Sequence, residues 1–274
     1  MGTDGQARAF EWAAGALLEI GAFASLAEAQ ATLPGGSYTT LRTYDGCRIL
    51  RLEQHRRRLL ESLPADMAAD RLPADHLTSA IRAALVATHH PESRIRLTLA
   101  PPRLFLCVER FTPLLPELRR SGVSCATFPL HRDRPHAKDT RFIDTAARIY
   151  ASLPPGVHEA LMVDSDDSLL EGLSSNFFAV VDGELRTETE RALLGVTRSL
   201  VLEVARGVSS VREQAIRRQD LPRVSECFIT SVSREVLPVT RIDDVVVGTG
   251  RPGPVTTEIQ RRFADLVSRE AVAV

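Results

Sequence analysis

Apolar and polar positions change period several times along this chain. From 10 to 32, Phe10, Ala14, Leu17, Leu18 and Phe23 recur among Ala and Glu at helical spacing, so a helix is expected there. Leu33-Pro34-Gly35-Gly36 ends it. Ser37 to Thr43, rich in Tyr, Thr and Leu, reads as a strand, and Tyr44-Asp45-Gly46 turns it into a second, Cys47 to Leu52. Helical spacing returns at 53–63 and at about 75–89. Arg94 to Ala100 alternates, with Ile95, Leu97 and Leu99 to one side and Arg94, Arg96 and Thr98 to the other. Another strand follows Pro101-Pro102 at 104–109. Beyond Phe111-Thr112-Pro113 strands dominate: 123–128, 160–163, 177–181, 208–212, 226–231, 237–239 and 245–247. Helices are expected at 142–152, after Thr197, and from Pro254 to about Ser268. The pattern predicts an α+β protein with a smaller first domain at 1–111, a connecting loop at 112–120 and a larger strand-rich domain at 121–274.

Charge and cysteine usage narrow the class. A formal net charge of −1 gives no field that would favour nucleic acid or an anionic membrane. Trp12 to Leu26 is apolar, but Glu19 interrupts it and it is too short to cross a bilayer. It carries no basic leader, so no signal peptide is expected. Cys47, Cys107, Cys125 and Cys227 lie far apart without metal-site spacing, so no metal centre is expected. Three of them sit in apolar runs, which fits a reducing, cytoplasmic compartment.

Lys138 is the only lysine in 274 residues. Every other basic surface position is arginine or histidine, and only an amine forms an imine. A solvated surface lysine is the ordinary alternative. Arg132, Arg134 and Arg141 stand close in sequence, and like charges lower an amine's pKa. Glu171 ends the apolar run Leu169-Leu170, ahead of a Gly-Leu-Ser-Ser turn and Asn176; alone, this is a surface turn with a carboxylate. Gly195-Val196-Thr197 at a helix start is either a phosphate cradle or a plain Thr N-cap. Arg58, beside His55, is either a phosphate clamp or an exposed helix charge. Thr230-Ser231-Val232-Ser233 offers further hydroxyls and amides, or simply turns the chain. Together, a lysine, a carboxylate, a helix start and an arginine form the set that pyridoxal 5'-phosphate needs: an imine partner, a partner for the ring nitrogen, and a phosphate anchor.

In order and spacing these motifs resemble the fold-type IV, class IV pyridoxal-phosphate enzymes. That family includes branched-chain and D-amino acid aminotransferases, R-selective amine transaminases and aminodeoxychorismate lyases. The resemblance runs from about Ser37 to Phe263. Tyr38 to Gly46 resembles the family's early strand and hairpin, and His55-Arg56-Arg57-Arg58-Leu59 its helix with a phosphate-contacting arginine. Lys138 stands at the Schiff-base lysine, and Glu171 at the ring-nitrogen carboxylate. Leu194-Gly195-Val196-Thr197-Arg198 stands at the phosphate turn, and Ser231-Val232 at the late phosphate loop. Leu237-Pro238-Val239 and Gly248 to Thr256 match the closing signatures. The resemblance implies two domains, a smaller α/β sandwich followed by a larger strand-rich cofactor-binding domain, and a homodimer.

Three departures stand out. Leu33 to Ser37 replaces the family's usual Asp- and Gly-rich run. Ile143 stands five residues after the lysine, where branched-chain enzymes carry Tyr, which argues against that subgroup. Val232 replaces an expected Thr. The expected activity is transamination from an amino acid or amine donor to a 2-oxo acid. Tyr38, Arg94, Arg96 and Arg141 are candidate substrate contacts; for the arginines on the alternating strand, a plain sheet surface is the alternative. Release of pyruvate and 4-aminobenzoate from aminodeoxychorismate is the runner-up, with Thr39-Thr40 and the missing Tyr leaning that way. A cofactor-binding member without catalysis is the third reading.

Overall fold

A computed structural model of the chain describes residues 7–64 and 72–274. It folds as two units. Unit 1 comprises the described residues up to 112, with 137–141 and 267–274; unit 2 comprises 113–136 and 142–266. Two stretches expected in the later domain, 137–141 and 267–274, thus group with the first unit.

The helix expected over 10–32 is a hairpin followed by a short helix. Strands β1 (Ala7–Ala13) and β2 (Ala16–Phe23) precede α1 (Leu26–Ala31). Ala14 and Gly15 turn the hairpin at φ of 50° and 79°, a left-handed pair whose twist matches that of the strands. The strand state wins because β1 has partners on both edges, β2 on one and Arg103–Arg110 on the other. Pairing across the sheet outweighs local helix propensity. Phe10 is buried, while Leu18, from the same apolar stripe, is 52% exposed.

Strands β3 (Ser37–Tyr44) and β4 (Arg48–Ile49) come next, then helices α2 (Leu52–Glu61) and α3 (Ala74–Thr88), then β5 (Ser93–Ala100) and β6 (Arg103–Arg110). The sheet runs from the closing strand Val272–Ala273 through β4, β3, β5, β6 and β1 to β2. Leu41, Ile95, Leu97 and Leu106 pack with Leu59, Leu77 and Ile81 of the helices. Because strand residues alternate, Tyr38, Thr40 and Arg42 share the other face with their β5 partners Thr98, Arg96 and Arg94. On β3, strand β4 pairs with Thr43 and Tyr44 alone, so it leaves the first half of one β3 edge uncovered.

Unit 2 begins with α4 (Pro116–Ser121), a helix where a loop is expected, and β7 (Val123–Pro129). Helix α5 (Arg141–Ser152) and strands β8 (Val157–Val163), β9 (Leu169–Gly172), β10 (Asn176–Val181) and β11 (Glu184–Arg186) follow. Then come α6 (Val196–Ala205), β12 (Ser210–Arg212), β13 (Val224–Ser231), β14 (Glu235–Ile242), β15 (Val245–Val246) and α7 (Pro254–Glu270). Strands β10, β13, β14, β7, β8 and β9 pair in that order, and β9 pairs back to β10, closing a ring. Phe177, Ala179, Cys227, Ile229, Leu237 and Leu161 fill the core. Asn176 and Phe178 alternate with those β10 core residues and so lie on the opposite face. There Phe178 stacks on Phe228 with ring centroids 4.9 Å apart.

Candidate active site

In unit 2 three neighbouring strands set one row of polar side chains. Asn176 of β10 pairs with Glu171 of β9 on one side and with Thr230 of β13 on the other. Directly opposed residues in an antiparallel sheet point the same way, so Glu171, Asn176 and Thr230 share a face. All three are buried. Asn176 Nδ2 donates to Glu171 Oε2 at 3.1 Å and to the Leu193 carbonyl at 2.6 Å. The second bond reaches the segment that begins α6. Gly195 caps that helix, and a Cβ there would lie 2.2 Å from Asn176 Oδ1. Only a residue without a side chain lets the helix start come this close. The first helical bond runs from the Ser199 N–H to the Gly195 carbonyl at 2.9 Å. The Val196 and Thr197 amides therefore have no acceptor within the helix, and they sit at its positive end.

Glu171 has a second strong partner. Arg132 Nε donates to its Oε1 at 2.9 Å, and the Arg132 guanidinium lies 3.5 Å from the centre of the Phe142 ring. The two partners hold both Glu171 oxygens in fixed directions. Ser231 Oγ accepts the Arg234 N–H at 3.2 Å across the β13–β14 turn, which also holds Val232.

In unit 1 the lysine segment takes up the uncovered edge of β3. The Tyr38 N–H donates to the Lys138 carbonyl at 2.8 Å, Asp139 bridges to Ser37, and the Thr140 N–H donates to the Gly36 carbonyl at 3.0 Å. The Lys138 N–H donates to Ser62 Oγ at 3.0 Å, just past α2. Lys138 Nζ lies 4.9 Å from the Tyr38 ring centre, and the Arg96 guanidinium lies 5.3 Å from the same ring. Arg96 Nε and Nη1 are buried without a hydrogen-bond partner among the described residues. Burial pulls the Arg96 pKa down. Such a guanidinium has donors suited to an anion. On α2, buried His55 meets Thr39 Oγ1 at 2.7 Å through Nδ1. Burial, then the charges of Arg58 and Lys138, hold its pKa at about 3, so the ring is neutral. Arg58 itself is half-buried.

Some expected features need correction. Arg141 is exposed and pairs with Asp139 at 2.7 Å, and Arg132 pairs with Glu171. Both arginines thus have carboxylate partners. Arg94 pairs with Glu109 and keeps only its buried Nε unmet, whereas Arg96 has two buried unmet donors, Nε and Nη1, among the described residues. Asn176 and Thr230 were not among the expected site residues. The signal for Asn176 was its place at the far end of the tight turn from Glu171.

The pattern of the amino-transferase class IV family matches residues 36–242, most of the chain. The chain belongs to the class IV aminotransferases. It is 27% identical over 266 residues to a branched-chain-amino-acid aminotransferase of Pseudomonas aeruginosa, covering 87% of this chain and 86% of that one. An Escherichia coli protein of the same name is 37% identical over 118 residues, 42% of this chain and 38% of that one. In fold it resembles the T.th. branched-chain amino acid aminotransferase solved with pyridoxamine 5'-phosphate, with a TM-score of 0.78, 23% identity, and 95% and 94% of the two chains covered. The E. coli branched-chain enzyme gives a TM-score of 0.75 at 23% identity, with 96% of each chain covered. This class IV aminotransferase is an α+β, fold-type IV, pyridoxal-phosphate-dependent transaminase. Its residues fit that cofactor on their own chemistry. Thr230 Oγ1 is buried without a partner among the described residues, Asn176 separates it in the row from the Glu171 carboxylate, which suits a ring N–H, and Gly195 keeps the helix start close to Asn176. Among the described residues no helix is long and apolar enough to cross a membrane.

Proposed function

We propose that this aminotransferase moves an amino group from an amino acid or amine donor to a 2-oxo acid, with Lys138 as its catalytic amine. The row Glu171–Asn176–Thr230, closed by Gly195, carries this reading. Bound pyridoxal phosphate supplies an electron sink conjugated to the substrate's amino-bearing carbon. Lys138 Nζ would hold the cofactor between turnovers, then take the proton from that carbon and, as general acid, deliver it to the cofactor's C4′. Glu171 holds the proton on the ring nitrogen, and Asn176 and Arg132 keep its two oxygens oriented. The Val196 and Thr197 amides, Arg58, Ser231 and the Val232 amide bind phosphate. Arg96 receives the substrate carboxylate against Tyr38, an assignment supported by its unmet donors. Arg94 and Arg141, already paired, are not needed for it. The assembly is a homodimer and its compartment the cytoplasm; sedimentation of the purified enzyme tests the first.

Single-turnover mixing with amino donors tests the reaction. The expected result is one equivalent of oxo acid per active site and recovery of the starting spectrum on adding pyruvate or 2-oxoglutarate. Pyruvate released from aminodeoxychorismate with no acceptor present would instead establish a lyase. No conversion of any donor would leave only a binding protein.

A further inference from the structure

Glu159 lies on β8 with no exposed surface, and none of the roles above uses it. A carboxylate so far from water needs several donors, and it has them. Its Oε1 accepts the Tyr150 hydroxyl at 2.5 Å and the Ala160 N–H at 3.1 Å. Its Oε2 accepts the Ser174 N–H at 3.4 Å, Ser174 Oγ at 3.1 Å, Ser175 Oγ at 2.9 Å and Arg234 Nη1 at 3.2 Å. Arg234 Nη1 also donates to Ser174 Oγ at 2.8 Å. Burial, then Glu159, push the Tyr150 pKa up, so its hydroxyl stays a donor.

Two turns meet on this cluster. Leu173-Ser174-Ser175 joins Glu171 to Asn176. It closes directly on Glu159, because a Cβ on Gly172 would lie 2.2 Å from Ser175 Oγ and 2.8 Å from Glu159 Cγ. The other turn, Ser231 to Arg234, carries the hydroxyl and amide assigned to phosphate, and Ser231 Oγ accepts the Arg234 N–H. Buried ion pairs add little net stability over apolar packing, so stability alone does not account for this one. Its ends lie one residue or a few from groups assigned to the cofactor.

We propose that Glu159 and Arg234 are positioning residues that clamp these two turns together, fixing the distance between the ring-nitrogen carboxylate and the late phosphate loop. The clamp rests on the transaminase reading above. Removing it loosens both ends of the cofactor's seat without touching the lysine.

The test compares wild type with Arg234→Ala, Arg234→Lys and Glu159→Gln. Pyridoxal phosphate is titrated into each apo-protein, and the bound cofactor's near-visible band is followed against pH. Thermal unfolding of the apo-proteins checks folding. Arg234→Ala is expected to weaken cofactor binding about ten-fold and to move the midpoint of the band's pH titration, with Arg234→Lys restoring part of both. Arg234→Lys keeps a cation on the fully buried Glu159 carboxylate and the Arg234 side chain is 21% exposed, so that variant is expected to fold even if Arg234→Ala or Glu159→Gln does not, and wild-type affinity and titration in Arg234→Lys and Arg234→Ala alike would overturn the clamp. A lowered melting temperature with both unchanged would do the same. Wild-type protein showing no cofactor band would bring down the transaminase reading and the clamp with it.

Discussion

The acidic row of unit 2 and the lysine segment of unit 1 are built in opposite ways. Glu171 is held at both oxygens by side chains that are themselves fixed, Arg132 over a phenyl ring and Asn176 against a carbonyl. Lys138 is held through its backbone, by Tyr38 and Ser62, while its side chain reaches across the face of an aromatic ring. A group that keeps one proton in one place gains from being immobilised. An amine that exchanges partners and moves a proton must be anchored at its root and reach from there. On the proposed assignment, one chain supplies both a fixed electrostatic contact and a travelling base.

The largest effect is expected at the travelling end. Lys138→Ala should slow the half-reaction about a thousand-fold, measured by rapid mixing with an amino donor. At the fixed end, Glu171→Gln keeps the shape and removes the charge, so it should reduce turnover about a hundred-fold while the protein still binds cofactor. A variant at full rate would remove the fixed contact from the account. Arg96→Met should raise KM for the oxo acid about ten-fold or more and leave kcat nearly unchanged, since its unmet donors are read as a seat for a carboxylate. The smallest effect concerns His55, below the lysine's strand. In the folded protein its pKa is about 3, against an ordinary value of 6.5. Between those values the unfolded chain binds the extra proton, so stability falls as pH drops, by about 1.4 kcal/mol per pH unit from this group. Urea unfolding at pH 7, 6 and 5 should show a slope about half that size in the first step and approaching it in the second, and His55→Gln should flatten both.

Much of the acidic row could be read from sequence. Asn176 to Val181 is a continuous apolar strand after one polar residue, and Asp182-Gly183 turns it, so β9, the turn and β10 follow from local chemistry. The helix start at Gly195-Val196-Thr197 is equally local. What failed depended on distant partners. The stretch 10–32 carries helical spacing, but β6, nearly a hundred residues later, makes β1 a strand. Arg132 is near Lys138 in sequence, yet its partner is Glu171, thirty-nine residues on. Lys138 looks like part of a loop because the strand it lines, β3, lies a hundred residues earlier. The same distance hid the grouping of 137–141 and 267–274 with the first unit.

The central claim is that Lys138 Nζ is the amine joined to the cofactor. Borohydride reduction of the holoenzyme, followed by peptide mass spectrometry, tests it directly. Because the chain has a single lysine, no other ε-amine competes. The account predicts one reduced cofactor adduct per chain, on the peptide containing Lys138, and none in Lys138→Ala. An unmodified Lys138 peptide from catalytically active protein would contradict it.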